Sequence, residues 1–173
     1  MDTYIRLLEI NDLDEYWKNG FENPDNDMFY YTGTTHYPSK EEIQKFIEKS
    51  SNDSERRHFL ICNNKNNIIG ECVLMDIDDE NKNCGFRIAI FNKTNFNKGI
   101  GYKATKEVLK YAFRKLNLHR VELEVFDYNL RAKAMYEKCG FKQEGIKRDA
   151  LFINEEFHNV YIMSILNEEF MEE

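Results

Sequence analysis

The stretch Phe96-Asn97-Lys98-Gly99-Ile100-Gly101-Tyr102-Lys103-Ala104 places a turn with two glycines directly before an amphipathic helix. The glycines let the backbone approach a ligand closely, and the helix aims unpaired N–H groups and the positive end of its dipole at the same spot. The stretch therefore predicts a binding site for a phosphate or pyrophosphate. It also fits a loose dinucleotide-binding fingerprint, Gly99-x-Gly101-x-x-Ala104, and it is compatible with a plain turn that starts a helix.

The composition is that of an acidic chain with enough apolar residues for one core. Its 173 residues are 42% hydrophobic and carry a formal charge of −7, so we expect a single domain over 1–173. The charge argues against a partner of the nucleic-acid class and mildly favours a cationic substrate. The sequence has neither an apolar run of about 18 residues nor a secretory signal, which predicts a cytoplasmic protein without membrane contacts.

The cysteines and histidines do not follow a metal-binding pattern. The four cysteines lack C-x-x-C spacing, and the four histidines are isolated from one another. Such cysteines are typical of reduced packing residues. The sequence also lacks the G-x-S-x-G nucleophile elbow and the P-loop motif. We predict no metal, and neither a serine hydrolase nor a P-loop enzyme.

Hydrophobic periodicity predicts a mixed sheet with flanking helices. Helices are expected after Asn11 or Asp12, after the Ser39–Glu42 capping box, over 102–116 and from Asn129 onwards. Strands are predicted at 4–9, 57–62, 68–77, 84–90, 120–126, 141–152 and 157–166. The strand, helix and strand spanning 84–126 form a right-handed crossover, which makes the two strands parallel.

An irregular stretch is predicted over 23–38, and it is rich in aromatic residues. Phe29, Tyr30, Tyr31 and Tyr37 lie there, and long loops of this kind often bind ligands. These four residues are therefore candidates for substrate binding. A packed surface loop explains the same pattern.

The position of the glycine turn bears on the dinucleotide alternative. A dinucleotide-binding fold sets its fingerprint directly on a leading strand and repeats the strand–helix–strand unit. Here residues 91–98 intervene and one crossover is visible. An oxidoreductase is therefore the alternative and not the first hypothesis.

Three motifs at these spacings resemble the acetyl-CoA-binding core of the GCN5-related N-acetyltransferases (GNATs). They are Gly99-x-Gly101 opening a helix, Val121-Glu122-Leu123-Glu124-Val125, and Asn129-x-x-Ala132-x-x-x-Tyr136-x-x-x-Gly140-Phe141. The second half is most similar to spermidine acetyltransferases and ribosomal-protein N-terminal acetyltransferases. The resemblance implies an α/β (α+β) fold: a mostly antiparallel seven-stranded sheet with a splayed parallel pair and about four helices.

The resemblance implies acetyl-CoA as cofactor and its direct reaction with a primary amine. A splayed strand would offer unpaired backbone groups to the pantetheine amides, and the pyrophosphate would lie on the amides from Asn97 to Tyr102. By resemblance, Asn129 contacts the cofactor. The implied cofactor-binding residues are Ile88, Ala89, Ile90, Phe96, Asn97, Lys98, Gly99, Gly101, Tyr102 and Asn129.

Two catalytic residues are also implied by the resemblance. Tyr136 would protonate the departing thiolate; alternatively it is a core residue with its hydroxyl bonded to the backbone. Glu124 would accept a proton from the amine, which arrives protonated because its ordinary pKa is about 10.4. Glu122 lies on the same strand face. The alternatives are that at least one of the two glutamates is simply solvated, and that water relays the proton from another acid.

The acceptor stays open among a polyamine, a protein N-terminus and a small amine. Spermidine enzymes of the bacterial type carry a glutamate where this chain has Gly85, which weakens the polyamine assignment. Phe96 stands where the family has Gln or Arg, and Asn97 where glycine is common. A catalytically silent CoA-binding module is the second alternative, and a homodimer is compatible with the sequence.

Overall fold

The computed structural model describes residues 2–172, which form seven strands and five α-helices. The strands are β1 Thr3–Leu7, β2 Arg57–Asn63, β3 Ile68–Asp78, β4 Asn83–Ile90, β5 Arg120–Phe126, β6 Lys142–Ile153 and β7 Glu156–Leu166. The helices are α1 Leu13–Gly20, α2 Asn26–Thr32, α3 Lys40–Ser51, α4 Ile100–Arg114 and α5 Leu130–Cys139.

All seven strands belong to one sheet, in the order β1-β2-β3-β4-β5-β7-β6. Every neighbouring pair is antiparallel except β4 and β5, which are parallel. The short turns between consecutive strands produce the antiparallel pairs, and the α4 crossover produces the parallel one. The predicted seven-stranded, mostly antiparallel sheet is confirmed.

The parallel pair separates soon after it begins. β4 and β5 pair only from Asn83 with Arg120 to Gly85 with Glu122. Beyond Gly85, β4 continues to pair with β3 as far as Ile90, while β5 pairs with β7 along its whole length. The edge of β4 that faces β5 is therefore unpaired over its last five residues, and a gap opens in the middle of the sheet.

Helices cover both faces of the sheet. Alternate residues of a strand point to opposite faces, and in β2 both sets contain buried apolar residues. Phe59 and Ile61 of β2 belong to the core beneath α4 and α5. Leu60 and Cys62 of the same strand pack with residues of α1 and α3. The gap between β4 and β5 therefore lies between a helical layer on one face of the sheet and a helical layer on the other.

Local signals explain most helix starts. Ser39 begins α3 with the predicted capping box: its hydroxyl accepts from the Glu42 amide at 3.2 Å, and the Glu42 carboxylate accepts from the Ser39 amide at 2.7 Å. Helix α4 begins at Ile100, two residues earlier than predicted, because Gly99 adopts a left-handed conformation and serves as its N-cap.

The stretch predicted to be irregular over 23–38 contains α2, so that prediction is wrong and five helices occur where about four were expected. The Asp25 carboxylate caps α2 by accepting from the Asp27 amide at 3.0 Å, and Gly33 ends it at φ +65°. Met28 and Phe29 bury its inner face against Ala89. Tertiary packing therefore fixes a helix whose aromatic composition gives weak local preference.

No helix within residues 2–172 combines the length and the apolar content needed to cross a bilayer.

Candidate active site

A cleft of about 700 Å³ occupies the gap between β4 and β5. Its walls come from β3, β4, β5, α5 and the turn before α4, with single residues of β6 and β7, and with Met28, Tyr31 and Thr32 of α2 at one side. The fold places the glycine turn, the splayed strand and α5 around one space.

The glycine turn forms one end of the cleft. Gly99 has φ +74°, Asn97 has φ +60°, and the first bond of the α4 ladder joins the Lys103 amide to the Gly99 carbonyl at 3.1 Å. The amides of Ile100 and Gly101 consequently have no acceptor within the helix. An added Cβ at Gly99 would meet nothing within 4 Å, so the backbone is open to a ligand. These features fit a pyrophosphate.

Most of the predicted cofactor-binding residues lie in the cleft wall. Lys98 is the exception: it is exposed and does not line the cleft. Those that line it are Ile88, Ala89, Ile90, Phe96, Asn97, Gly99, Gly101, Tyr102 and Asn129. The unpaired backbone edge of β4 runs along this wall and fits the amides of a pantetheine arm.

Asn129 has two structural partners in the cleft wall. It is 8% exposed and caps α5, with its side-chain carbonyl accepting from the Ala132 amide at 3.2 Å. Its side-chain amide donates to the Tyr31 carbonyl at 3.2 Å. Asn129 therefore joins α2 to α5 at the cleft.

Tyr136 lies on the α5 side of the cleft and is 6% exposed. Its ring packs edge-on against Phe86 and Phe141, and no hydrogen bond joins its hydroxyl to another residue of the 2–172 range. Burial raises the pKa of the Tyr136 hydroxyl, and Cys72 and Cys139 raise it further. Tyr136 is therefore protonated at neutral pH and is a hydrogen-bond donor without a partner in the described chain.

Glu122 and Glu124 lie on one face of β5, and Leu123 and Val125, which share a core cluster with Tyr136, lie on the other. This is the arrangement that the alternation of side chains along a strand predicts. Both are about half exposed and both line the cleft. Glu122 accepts from Arg120 at 3.0 Å, and Glu124 is bonded to the Lys147 ammonium. Each carboxylate consequently has a cationic partner.

The four aromatic substrate candidates do not share one site. Tyr31 lines the cleft. Phe29 is buried on the inner face of α2 and packs with Tyr37, which is 57% exposed. Tyr30 stacks on Tyr128 at a ring separation of 4.5 Å. The structure thus brings only Tyr31 of these four to the cleft.

Two arginines at the cleft are not among the site residues predicted from the sequence. The Arg131 guanidinium lies 3.8 Å from the centre of the Phe96 ring and 4.8 Å from that of Tyr31, at the cleft wall. Its place two residues after Asn129, in the first turn of α5, is a signal that would have found it. Arg87 also lines the cleft, although strand alternation alone predicts only a solvated residue.

Comparison with known proteins identifies the family. Residues 3–142 match the family model described as the acetyltransferase (GNAT) domain. The chain belongs to the GNAT acetyltransferases. This GNAT is 30% identical over 167 residues to a spermidine N(1)-acetyltransferase of Vibrio cholerae, covering 96% of this chain and 94% of that one. It is 29% identical to the probable N-acetyltransferase YjcK of Bacillus subtilis, covering 95% and 93%.

A solved structure has the same fold. It is the spermidine N-acetyltransferase from Vibrio cholerae in complex with CoA and spermine, with a TM-score of 0.88, 28% identity and coverage of 98% of each chain. The GNAT-like fold and the N-acetyltransferase activity expected from the sequence are confirmed, with acetyl-CoA as the acetyl donor and a small-molecule amine as partner. This result displaces the oxidoreductase alternative.

Proposed function

We propose that this GNAT transfers the acetyl group of acetyl-CoA directly to a primary amine that enters the gap from the face carrying Glu124. The supporting observation is that the gap brings together groups from opposite faces of the sheet. Tyr136 packs with Leu123 and Val125, while Glu124 points to the other side and lines the same cleft. Acetyl-CoA on one face and the acceptor amine on the other can therefore meet between the strands.

The cofactor's place is inferred from backbone geometry. The pyrophosphate would accept from the N-terminal amides of α4, the pantetheine amides would pair with β4 beyond Gly85, and Arg131 would add a positive charge at the turn. Bound acetyl-CoA supplies an activated thioester carbonyl. Asn129 would keep α2 and α5 in place around it.

Glu124 prepares the amine for attack in this proposal. An alkylammonium with a pKa of about 10.4 must lose a proton before its nitrogen can bond to carbon. The incoming ammonium replaces Lys147 on the Glu124 carboxylate, which accepts the proton directly or through one water. The new nitrogen–carbon bond forms as the carbon–sulfur bond breaks, the electron pair of that bond goes to sulfur, and the second proton that the nitrogen loses goes to the thiolate or to water.

Tyr136 stabilises the leaving thiolate. Because burial raises the pKa of its hydroxyl, Tyr136 is a weaker acid than a thiol of pKa about 8.5. Complete proton transfer to sulfur is therefore unfavourable, and the hydroxyl acts mainly as a hydrogen-bond donor to the developing negative charge.

The acceptor is tested with a panel of primary amines. The similar Vibrio cholerae and Escherichia coli proteins are spermidine acetyltransferases, so spermidine belongs in the panel beside short peptides and monoamines. CoA release and the mass of the acetylated product measure turnover. We expect turnover that falls in the Glu124→Gln variant and persists in Glu122→Gln, its neighbour on the same strand face. Binding of acetyl-CoA without transfer to any amine would instead identify a silent CoA-binding module.

A further inference from the structure

A second pocket of about 340 Å³ adjoins the cleft on the side of α1 and α3. The two spaces share wall residues Met28, Thr32, Arg87 and Ala89. Aromatic rings form much of the second pocket, namely those of Tyr16, Phe21, Phe29, Phe46 and Phe91. Arg87 is the charged side chain at the junction.

A buried carboxylate holds Arg87 in this position. One guanidinium nitrogen of Arg87 donates to Glu71 at 3.1 Å. Glu71, whose side chain is 6% exposed, also accepts from the Tyr16 hydroxyl and bonds to His58 Nε2 at 2.8 Å. The Arg87 side chain is 48% exposed, and the rest of its guanidinium makes no hydrogen bond to another residue in the described part of the chain. Arg87 is thus anchored at one nitrogen and open at the others.

Arg87 and Glu124 lie on either side of the gap. The last pair between the parallel strands is Gly85 with Glu122. Two residues further along each strand, side chains return to the same face of the sheet, so Arg87 of β4 and Glu124 of β5 flank the opening from that face. Both line the cleft. An acceptor whose amine lies beside Glu124 therefore has a guanidinium on the opposite side of the opening.

The charges beside Arg87 do not suit a second ammonium group of the acceptor. Glu122 and Glu124 are paired with Arg120 and Lys147. Asp76 is the one cleft-lining carboxylate for which no ion pair is formed within residues 2–172. In the second pocket, Glu42 accepts from the Ser39 amide and lies 3.2 Å from His36. A further ammonium group would be repelled by the guanidinium if it lay on the Arg87 side of the opening, and Asp76 is the cleft carboxylate that would attract it elsewhere.

We propose that Arg87 selects an acceptor that carries a carboxylate as well as the primary amine. The amine of this amino acid or ω-amino acid lies beside Glu124, and its carboxylate accepts two hydrogen bonds from the free side of the Arg87 guanidinium. Any apolar remainder of the molecule enters the aromatic second pocket. The planar guanidinium provides the parallel donors that a carboxylate needs. This inference rests on the proposed amine acetylation and names its substrate class.

The test compares each amino acid with its own uncharged carboxamide, and with spermidine as a polyamine. Acetylation is measured for a series of ω-amino acids of increasing chain length, for α-amino acids with aliphatic or aromatic side chains, for the carboxamide of each, and for spermidine. We expect at least one acid to exceed its own carboxamide and spermidine by about tenfold or more in kcat/KM, because a hydrogen bond between charged groups contributes that much. Transfer to amides or spermidine without an acid preference would overturn the inference and leave amine acetylation standing. Absence of transfer to every amine would overturn both.

Two variants of Arg87 test whether this side chain causes the preference for acceptors with a carboxylate. Arg87→Gln should lower the ratio of kcat/KM for the acid to kcat/KM for its carboxamide by about tenfold, mainly through a higher KM for the acid, and an unchanged far-UV circular dichroism spectrum shows that the variant is folded. Arg87→Lys should keep part of the preference, because an ammonium retains the charge but not the paired donors. Arg114→Gln, on α4 and outside both pockets, is the matched control and should change neither acceptor. An acid preference that survives in Arg87→Gln would contradict the assignment.

Discussion

Replacing Glu71 with glutamine removes one charge from the buried cluster that holds Arg87, with little change in side-chain volume. Burial by itself raises the pKa of the Glu71 carboxyl, but the charge and hydrogen bond of His58, with Arg87 and Tyr16, lower it to about 2 from an ordinary value of 4.5. The folded state therefore prefers the ionised carboxylate. Glutamine resembles the protonated form, so the substitution should remove that preference.

The expected loss follows from the two pKa values. Their difference corresponds to about 3 kcal/mol of unfolding free energy, at about 1.4 kcal/mol per pKa unit. Because the pKa is lower in the folded state, this contribution is complete above pH 4.5 and is lost as the pH falls from 4.5 towards 2. The difference between wild type and Glu71→Gln should therefore be about 3 kcal/mol at pH 7 and about half of that at pH 3.

Urea unfolding of both proteins at the two pH values measures this difference. Glu144→Gln is the matched control: hydrogen bonds from Arg120 and Ser164 also lower the pKa of Glu144 to about 2, but its side chain is 44% exposed. Solvent screening should keep its cost below about 1 kcal/mol. Equal costs for the two variants, or a Glu71→Gln cost that does not change between pH 7 and pH 3, would refute this explanation.

Three further substitutions test the cleft. Tyr136→Phe should lower kcat by about tenfold or more and leave the calorimetric Kd for CoA within about twofold, because the hydroxyl acts on the leaving thiolate; an unchanged kcat would remove Tyr136 from the mechanism. Arg131→Gln should raise the Kd for CoA severalfold and leave the KM of the acceptor unchanged. A higher KM for the acceptor with an unchanged Kd for CoA would place Arg131 in the acceptor site and not in the CoA site. Gly85→Glu should lower the KM for spermidine by adding a carboxylate to the cleft, at a cost in melting temperature because its Cβ would lie 3.1 Å from Met75 Cγ, which must shift; an unchanged KM would show that position 85 does not contact the acceptor.

Elements with strong local patterns could be predicted from the sequence. The strand predicted at 120–126 has the same bounds in the structure, because Val121, Leu123 and Val125 alternate with polar residues and all three are buried. The Ser39 capping box likewise depends on residues three apart. The opening between β4 and β5 was inferred by resemblance, and the pairing register confirms it.

The polar cluster behind the cleft could not be predicted in this way. Tyr16, His58, Glu71 and Arg87 come from four different elements, and the sequence gives no sign that they meet. Within strands, a charged residue between apolar ones predicts a solvated side chain, yet Glu71 is buried because three partners satisfy its carboxylate. Such partners become visible only in the folded chain.

A crystal structure of the enzyme with CoA and an acceptor amine tests most directly whether the gap between β4 and β5 is the catalytic site. We expect the CoA sulfur within about 4 Å of the Tyr136 hydroxyl, the pyrophosphate about 3 Å from the first amides of α4, and the acceptor on the Glu124 side of the gap. Binding of CoA elsewhere, or with its sulfur far from Tyr136, would contradict the proposed site.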